Sequence, residues 1–200
     1  MNTINTTIIG LSGTNGSGKD TFGQIMADEF NYLFISVTEL LRDEAKRRNL
    51  NVDRENLRTI SAEWRRESGL GVLVDKAMAE YEKVKDKYSG VVMASLRNPG
   101  EASSLHELDG TLVWLDADPK LRYERIQANA HLRGRSDEDQ KTFDEFLQEE
   151  QAEMSHSGDE ATLNMAGVKE VADLIIINDQ SDLVIFKDKI AEALNLGKFL

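Results

Sequence analysis

The chain has 200 residues, 40% of them hydrophobic and only two of them proline, which suits one folded domain over 1–200 with a buried core and argues against disorder of the chain as a whole. Thirty-six acidic residues against 24 basic ones give a formal charge of −12, which disfavours duplex nucleic acid, since that partner is held by cationic side chains that displace counterions. With no cysteine, disulfides, thiolate catalysis and Cys-ligated zinc are excluded. The opening MNTINTT has no basic flank or apolar stretch, and no apolar run approaches the ~20 residues of a membrane span, so a cytoplasmic protein without a membrane partner is expected.

In chain order, residues 6–11 (TTIIGL) are short, apolar and β-branched, the pattern of a buried strand, and a glycine-rich turn follows at once. Phe22, Ile25, Met26 and Phe30 then recur at helical spacing and predict one buried stripe. A second apolar stretch at 32–37 runs into Ser36-Val37-Thr38-Glu39, which has the spacing of a capping box and predicts a helix through residue 48. Asp53 can cap a further helix bearing Leu57, Ile60 and Trp64, and another is predicted over 73–87, closing on Lys83, Lys85 and Lys87. Residues 36–88 thus read as a helical insertion.

Strands are predicted again at 91–94 and 111–116, each before a helix with proline in its first turn, at Asn98-Pro99 and Asp118-Pro119. A last strand at 173–177 precedes a helix with Leu183, Phe186, Ile190 and Leu194 on one face. The polar stretches 131–142 and 155–167 read as loops, and the acidic helix between them as a solvated face. Strands alternating with helices predict an α/β fold of three layers, with a five-stranded parallel sheet between helices.

The most informative segment is Gly13-Thr14-Asn15-Gly16-Ser17-Gly18-Lys19-Asp20-Thr21. Its glycines let the backbone curl until successive amides point inward, and the following helix turns its positive end to the same spot, making an anion cradle. Lys19 adds a point charge able to reach outer phosphates. The strict phosphate-loop pattern has Ser or Thr directly after the lysine, whereas Asp20 stands there and Thr21 follows. The bland alternative is a flexible turn before a helix, and its place between a predicted strand and a predicted helix argues against that.

This segment resembles the GxxGxGKxT form of nucleoside monophosphate kinases, dephospho-coenzyme A kinases and related small-molecule kinases. The resemblance implies ATP as phosphoryl donor with magnesium (Mg2+), phosphate contacts from Gly13, Asn15, Gly16, Ser17, Gly18, Lys19 and Asp20, and a hydroxyl contact from Thr21 to the α-phosphate. Asp20 either orients metal-bound water or caps the helix's positive end.

Arg54, Arg58 and Arg65 lie 4 and 7 residues apart on one predicted helix and so project together. They are either paired with neighbouring glutamates on a wet surface or form a clamp for an acceptor's phosphate, a task that suits arginine. Arg97, in Ser95-Leu96-Arg97-Asn98-Pro99, falls at the carboxyl edge of the sheet, where open α/β sheets bind ligands. The kinase resemblance places an Asp-Gly-x-Arg motif there, implies that Arg97 holds the acceptor, and makes Ser36, Arg58, Arg65 and Arg97 the acceptor-binding candidates. The motif's aspartate has no counterpart, because Ala94 takes its place and Ser95 that of the glycine. Asp116 could compensate as a metal-site carboxylate beside Asp20.

The same resemblance implies a lid over about 130–142 whose arginines Arg133 and Arg135, with Arg125, stabilise the transferring phosphoryl group. It also implies an adenine-contacting loop at Asn178 and Asp179. His106, His131 and His156 have no metal-ligand spacing. The expected activity is transfer of the γ-phosphoryl of ATP to a small phosphorylated acceptor, a nucleoside or deoxynucleoside monophosphate, with dephospho-coenzyme A the alternative acceptor. A catalytically weak ATP-binding or nucleotide-sensing module is the alternative of another class, motivated by Ala94. Oligomeric state is not legible.

Overall fold

The computed structural model describes residues 7–129, 141–155 and 158–196. Its elements are β1 (Ile8–Gly13), α1 (Lys19–Phe30), β2 (Tyr32–Ser36), α2 (Val37–Arg47), α3 (Arg54–Ser68), α4 (Val72–Glu82), a 3-10 turn (Lys85–Lys87), β3 (Gly90–Ala94), α5 (Pro99–Glu107), β4 (Thr111–Asp116), α6 (Pro119–Ala128), α7 (Phe143–Met154), α8 (Met165–Glu170), β5 (Leu174–Ile177) and α9 (Leu183–Ala193). The five described strands form one parallel sheet in the order β2-β3-β1-β4-β5. Position 1 of the chain order is thus the centre of the sheet, and the loop after β1 emerges mid-edge.

Both faces of the central strands are covered, which is why they read as continuous apolar runs. Alternate residues feed two cores. Val91, Met93, Leu112 and Trp114 pack with the helical insertion, α5 and α8, while Ile9, Leu11, Val92, Val113 and Leu115 pack with α1 and α9. All nine of these side chains are fully buried. Among the described residues, no helix is long and apolar enough to cross a membrane.

Four local expectations change. Ser36 precedes α2 but makes no capping bond; it is the last residue of β2, paired with Ala94. The helix predicted over 73–87 ends at Glu82 and breaks at Val84 (φ −136) before the chain turns into β3. Leu183 is half exposed, so the buried stripe of α9 is Phe186, Ile190 and Leu194. The stretch 155–167 is pinned where it is described: Asn98 Nδ2 donates to the carbonyls of Glu160 (2.7 Å) and Thr162 (2.8 Å), and the Asn164 amide donates to the Arg97 carbonyl (3.0 Å).

Candidate nucleotide and acceptor site

At the end of β1, Gly13 turns with φ 135, and a Cβ there would stand 1.9 Å from the Leu115 carbonyl oxygen, so only glycine fits. The Thr14 amide donates to that same carbonyl at 3.2 Å. Gly18, at φ 103, caps α1, and a Cβ on it would meet the Asn178 amide at 2.7 Å. The loop is also braced from outside. Asn178 Nδ2 donates to the Ser17 carbonyl (2.9 Å) and the buried Arg122 donates to the carbonyls of Asn15 (3.2 Å) and Ala117 (2.8 Å).

Lys19 folds back over the loop, donating to the carbonyls of Gly13 (2.9 Å) and Thr14 (2.6 Å). Burial pulls its ammonium from the ordinary 10.5 down to about 7, reinforced by the charge of Arg97 and opposed by Asp20 and Glu153. A desolvated cation held only by loop carbonyls is disposed to accept an anion. The Ser17 hydroxyl, Asn178 Oδ1 and Arg125 Nη1 are buried without a hydrogen-bond partner in the structure.

One cleft of about 1170 Å³ is lined by Gly16, Lys19, Asp20 and Thr21 of the loop and by Arg54, Arg58 and Arg97. Ser36 and Ser95 also line it. Ser95 occupies the left-handed region (φ 76), which explains why glycine suits that position. Ala94 is fully buried and offers no carboxylate.

The arginine stripe divides by role. Arg54, Arg58 and Arg65 all border the cleft, but Arg65 is not an open clamp: its side chain is 2% exposed and is committed to Glu101 (Nη2, 2.7 Å; Nε, 3.0 Å), Ser61 and the Ala161 carbonyl. Glu101, itself fully buried, spends its other oxygen on the Arg97 and Asn98 amides (2.6 and 3.1 Å), thereby capping α5. This pair fixes the backbone of Arg97 and ties α3 to the sheet edge.

The acidic helix is likewise more than a solvated face. From α7, Glu150 pairs with Arg122, and Glu153 enters the cleft to meet Arg58 (2.8 Å), Arg97 (3.2 Å) and Arg54 (3.4 Å). Burial pushes the Glu153 carboxyl up, but Arg97, Arg54 and Arg58 outweigh it and hold the group at about 2. Sequence spacing could not reveal these contacts, which join residues 56 to 99 positions apart.

Asp116 does not face the cleft. Its oxygens accept from the Thr14 hydroxyl (2.8 Å) and the Ala117 amide (2.9 Å), and Arg122 and Lys169 stand 3.7 and 3.6 Å away, so it braces the loop from beneath and is poorly placed as a metal ligand. Asp179 accepts from the Asp118 amide (2.7 Å) and its side chain is not among the cleft's walls; the neighbouring Gln180 and Ser181 are. Arg125 lines the cleft from α6 and donates to the Gln180 carbonyl (2.7 Å), beside the Asn178 loop. Burial lowers its pKa, with Asp179 opposing. Arg133, Arg135 and most of the expected lid lie outside the described residues, as do His131 and His156.

Among the described residues, no group of three or more His, Asp, Glu or Cys could hold a metal ion. Asp20 and Thr21 still fit magnesium of the kind held mainly by phosphates and water, because both are exposed oxygen donors in the cleft next to Lys19.

Fold, glycine loop and lysine together define a P-loop protein with the fold of small kinases. A shikimate kinase from Bacteroides thetaiotaomicron superposes with a TM-score of 0.56 at 17% identity, covering 95% of this chain and 99% of that one. A shikimate kinase from Acinetobacter baumannii, solved with shikimate, gives 0.52 at 15% identity, covering 94% and 93%. At these identities the likeness shows the fold alone. A family model described as an AAA domain matches residues 12–144. A UPF0200 protein of Pyrococcus abyssi is 32% identical over 181 residues, 87% of this chain and 88% of that one, and another from Methanocaldococcus jannaschii is 27% identical over 177 residues, 87% and 82%. The chain belongs to the AAA-domain P-loop family and, with these archaeal relatives, to the UPF0200 proteins.

Proposed function

We propose that this protein is a small-molecule kinase that moves the γ-phosphoryl group of ATP to a phosphorylated acceptor, a nucleoside or deoxynucleoside monophosphate. The observation that supports the reading is a single cleft lined both by the Lys19 loop and by Arg54, Arg58 and Arg97, two sets of anion-binding groups at one reaction space. Dephospho-coenzyme A, which carries a pyrophosphate, is the alternative acceptor of the same charge class.

The catalysis asked of the chain is positional and electrostatic. The loop amides and Lys19 hold the donor's outer phosphates, and Lys19 follows the charge that builds on the transferring group. Thr21 contacts the donor's inner phosphate, Asp20 orients water around bound magnesium, and Asn178 and Gln180 flank the base. Magnesium, when bound, neutralises the donor phosphates and polarises the bond that breaks. Arg58, Arg97 and Arg54 fix the acceptor so that its phosphate oxygen lies in line with the leaving group. Arg125 acts on the donor side, with Arg133 and Arg135 proposed to join it.

A second reading, an ATP-binding module with weak transfer, is favoured by Ala94, which leaves the end of β3 without a carboxylate. An ADP-release assay with magnesium and a panel of ribo- and deoxyribonucleoside monophosphates plus dephospho-coenzyme A separates the two. Acceptor-dependent ADP formation supports the kinase; ATP binding with no acceptor-dependent turnover across the panel supports the module.

A further inference from the structure

The three cleft arginines already hold an anion supplied by the chain itself. Glu153 is the next-to-last residue of α7, keeps only 12% of its side chain exposed, and is shared among guanidinium groups from α3 and from the loop after β3. One of its oxygens serves both Arg54 and Arg58, and the other serves Arg97. Resting on the reading of this rim as the acceptor's phosphate site, we propose that Glu153 is an internal competitor for that phosphate, and so the residue that sets how strong an anion an acceptor must carry to be bound.

The chemistry of the two anions differs in the needed direction. A carboxylate brings one charge and two oxygens, and here it must divide one oxygen between two guanidinium groups. A phosphate monoester brings nearly two charges and three free oxygens, enough for each arginine to have its own. Removing the carboxylate without replacement would leave Arg54 its pair with Glu149 (3.1 Å) but strip Arg58 and Arg97 of the carboxylate they share in a partly buried rim, so the exchange occurs only with a ligand that restores the charge. The rim is the fixed partner in this exchange: Arg97 is held through its amide by Glu101 (2.6 Å) and through its carbonyl by Asn164 (3.0 Å). Glu153 is the movable one, standing at a helix end, where the last turn loosens most readily.

An internal competitor weakens every acceptor by one common factor, the fraction of molecules whose rim is free. Phosphorylated acceptors bind despite that factor, while singly charged carboxylates fall towards the limit of useful affinity, and the threshold is set without any contact that repels the wrong ligand.

The test is Glu153→Gln in the full chain, which keeps size and removes charge, with steady-state kinetics against the monophosphate panel and calorimetry with inorganic phosphate and with sulfate. The expected result is a fall of about tenfold or more in acceptor KM, an ATP KM within about twofold of wild type, an unchanged kcat, and binding of both inorganic anions that wild type shows only about tenfold more weakly. An acceptor KM that stays the same or rises overturns the proposal, as does a loss of kcat at constant KM, which would put the carboxylate in the transfer step. If E153Q lowers the melting temperature sharply, Glu153→Asp, which retracts the charge by one methylene, must show the same direction of change or the proposal fails. Should wild type transfer phosphate to no acceptor while E153Q still gains affinity for inorganic phosphate, the kinase reading fails and the anion exchange stands.

Discussion

Lys19 carries the sharpest consequence at the scale of one residue. Its pKa is lowered to about 7 in the fold, so between pH 7 and 10.5 the unfolded chain holds a proton that the folded chain lacks. Stability contributed by this group therefore falls as pH drops from 10.5 towards 7 and is level below. A bound triphosphate reverses the preference and draws the proton back. ATP binding at pH 8 to 9 should then take up a proton, seen as a binding enthalpy that changes with the ionisation heat of the buffer, and affinity should fall by up to about tenfold per pH unit above 7. A buffer-independent enthalpy across that range would contradict the assignment. Arg65 and Arg58, seven residues apart on α3, should separate stability from binding. Arg65→Ala leaves the buried Glu101 carboxylate without its cation and should cost about 3–5 kcal/mol in denaturant unfolding. Arg58, half exposed in its pair with Glu153, should cost little stability as alanine while raising acceptor KM.

At the scale of elements, caps make a clean contrast. Asp53 accepts from the Asn56 amide at 2.8 Å, and Asp53→Ala should lose about 1 kcal/mol, whereas Ser36→Ala, which removes no capping bond, should change stability by less than about 0.5 kcal/mol. Both are checked by urea denaturation. The unit β1, glycine loop and α1 was legible in the sequence because its signals are local: a β-branched run, glycines at Gly13 and Gly18 that later show left-handed or otherwise restricted backbone, and a helical stripe. The strand ends fell within two residues of their expected places for the same reason. What was not legible depends on distance along the chain. Arg65 meets Glu101 across 36 positions, Glu153 meets Arg58 across 95, and Asp116 meets Thr14 across 102. The sheet order, which sets β1 beside β4, brings Asp116 to Thr14, and the packing of helices from distant parts of the chain brings the other two pairs together.

At the scale of the whole molecule, a strongly acidic chain lines one cleft with eight of its 24 basic residues and pairs several of them internally. The net charge of −12 predicts that duplex DNA at physiological salt will not compete with ATP, and measurable competition would contradict a cleft built for a small polyphosphate. Ligand binding to the folded chain alone should raise its stability, by about 2.7 kcal/mol at 100 times the dissociation constant. For a chain of this length that is a rise of roughly 5–10 °C in melting temperature. The most direct measurement is calorimetric titration of ATP with magnesium into wild type and Lys19→Ala, with the melting temperature of each recorded alongside. Saturable binding in wild type that is lost in a Lys19→Ala protein of undiminished melting temperature is expected; no heat in wild type, or equal affinity in the two, would contradict a phosphate-gripping loop at Gly13–Thr21.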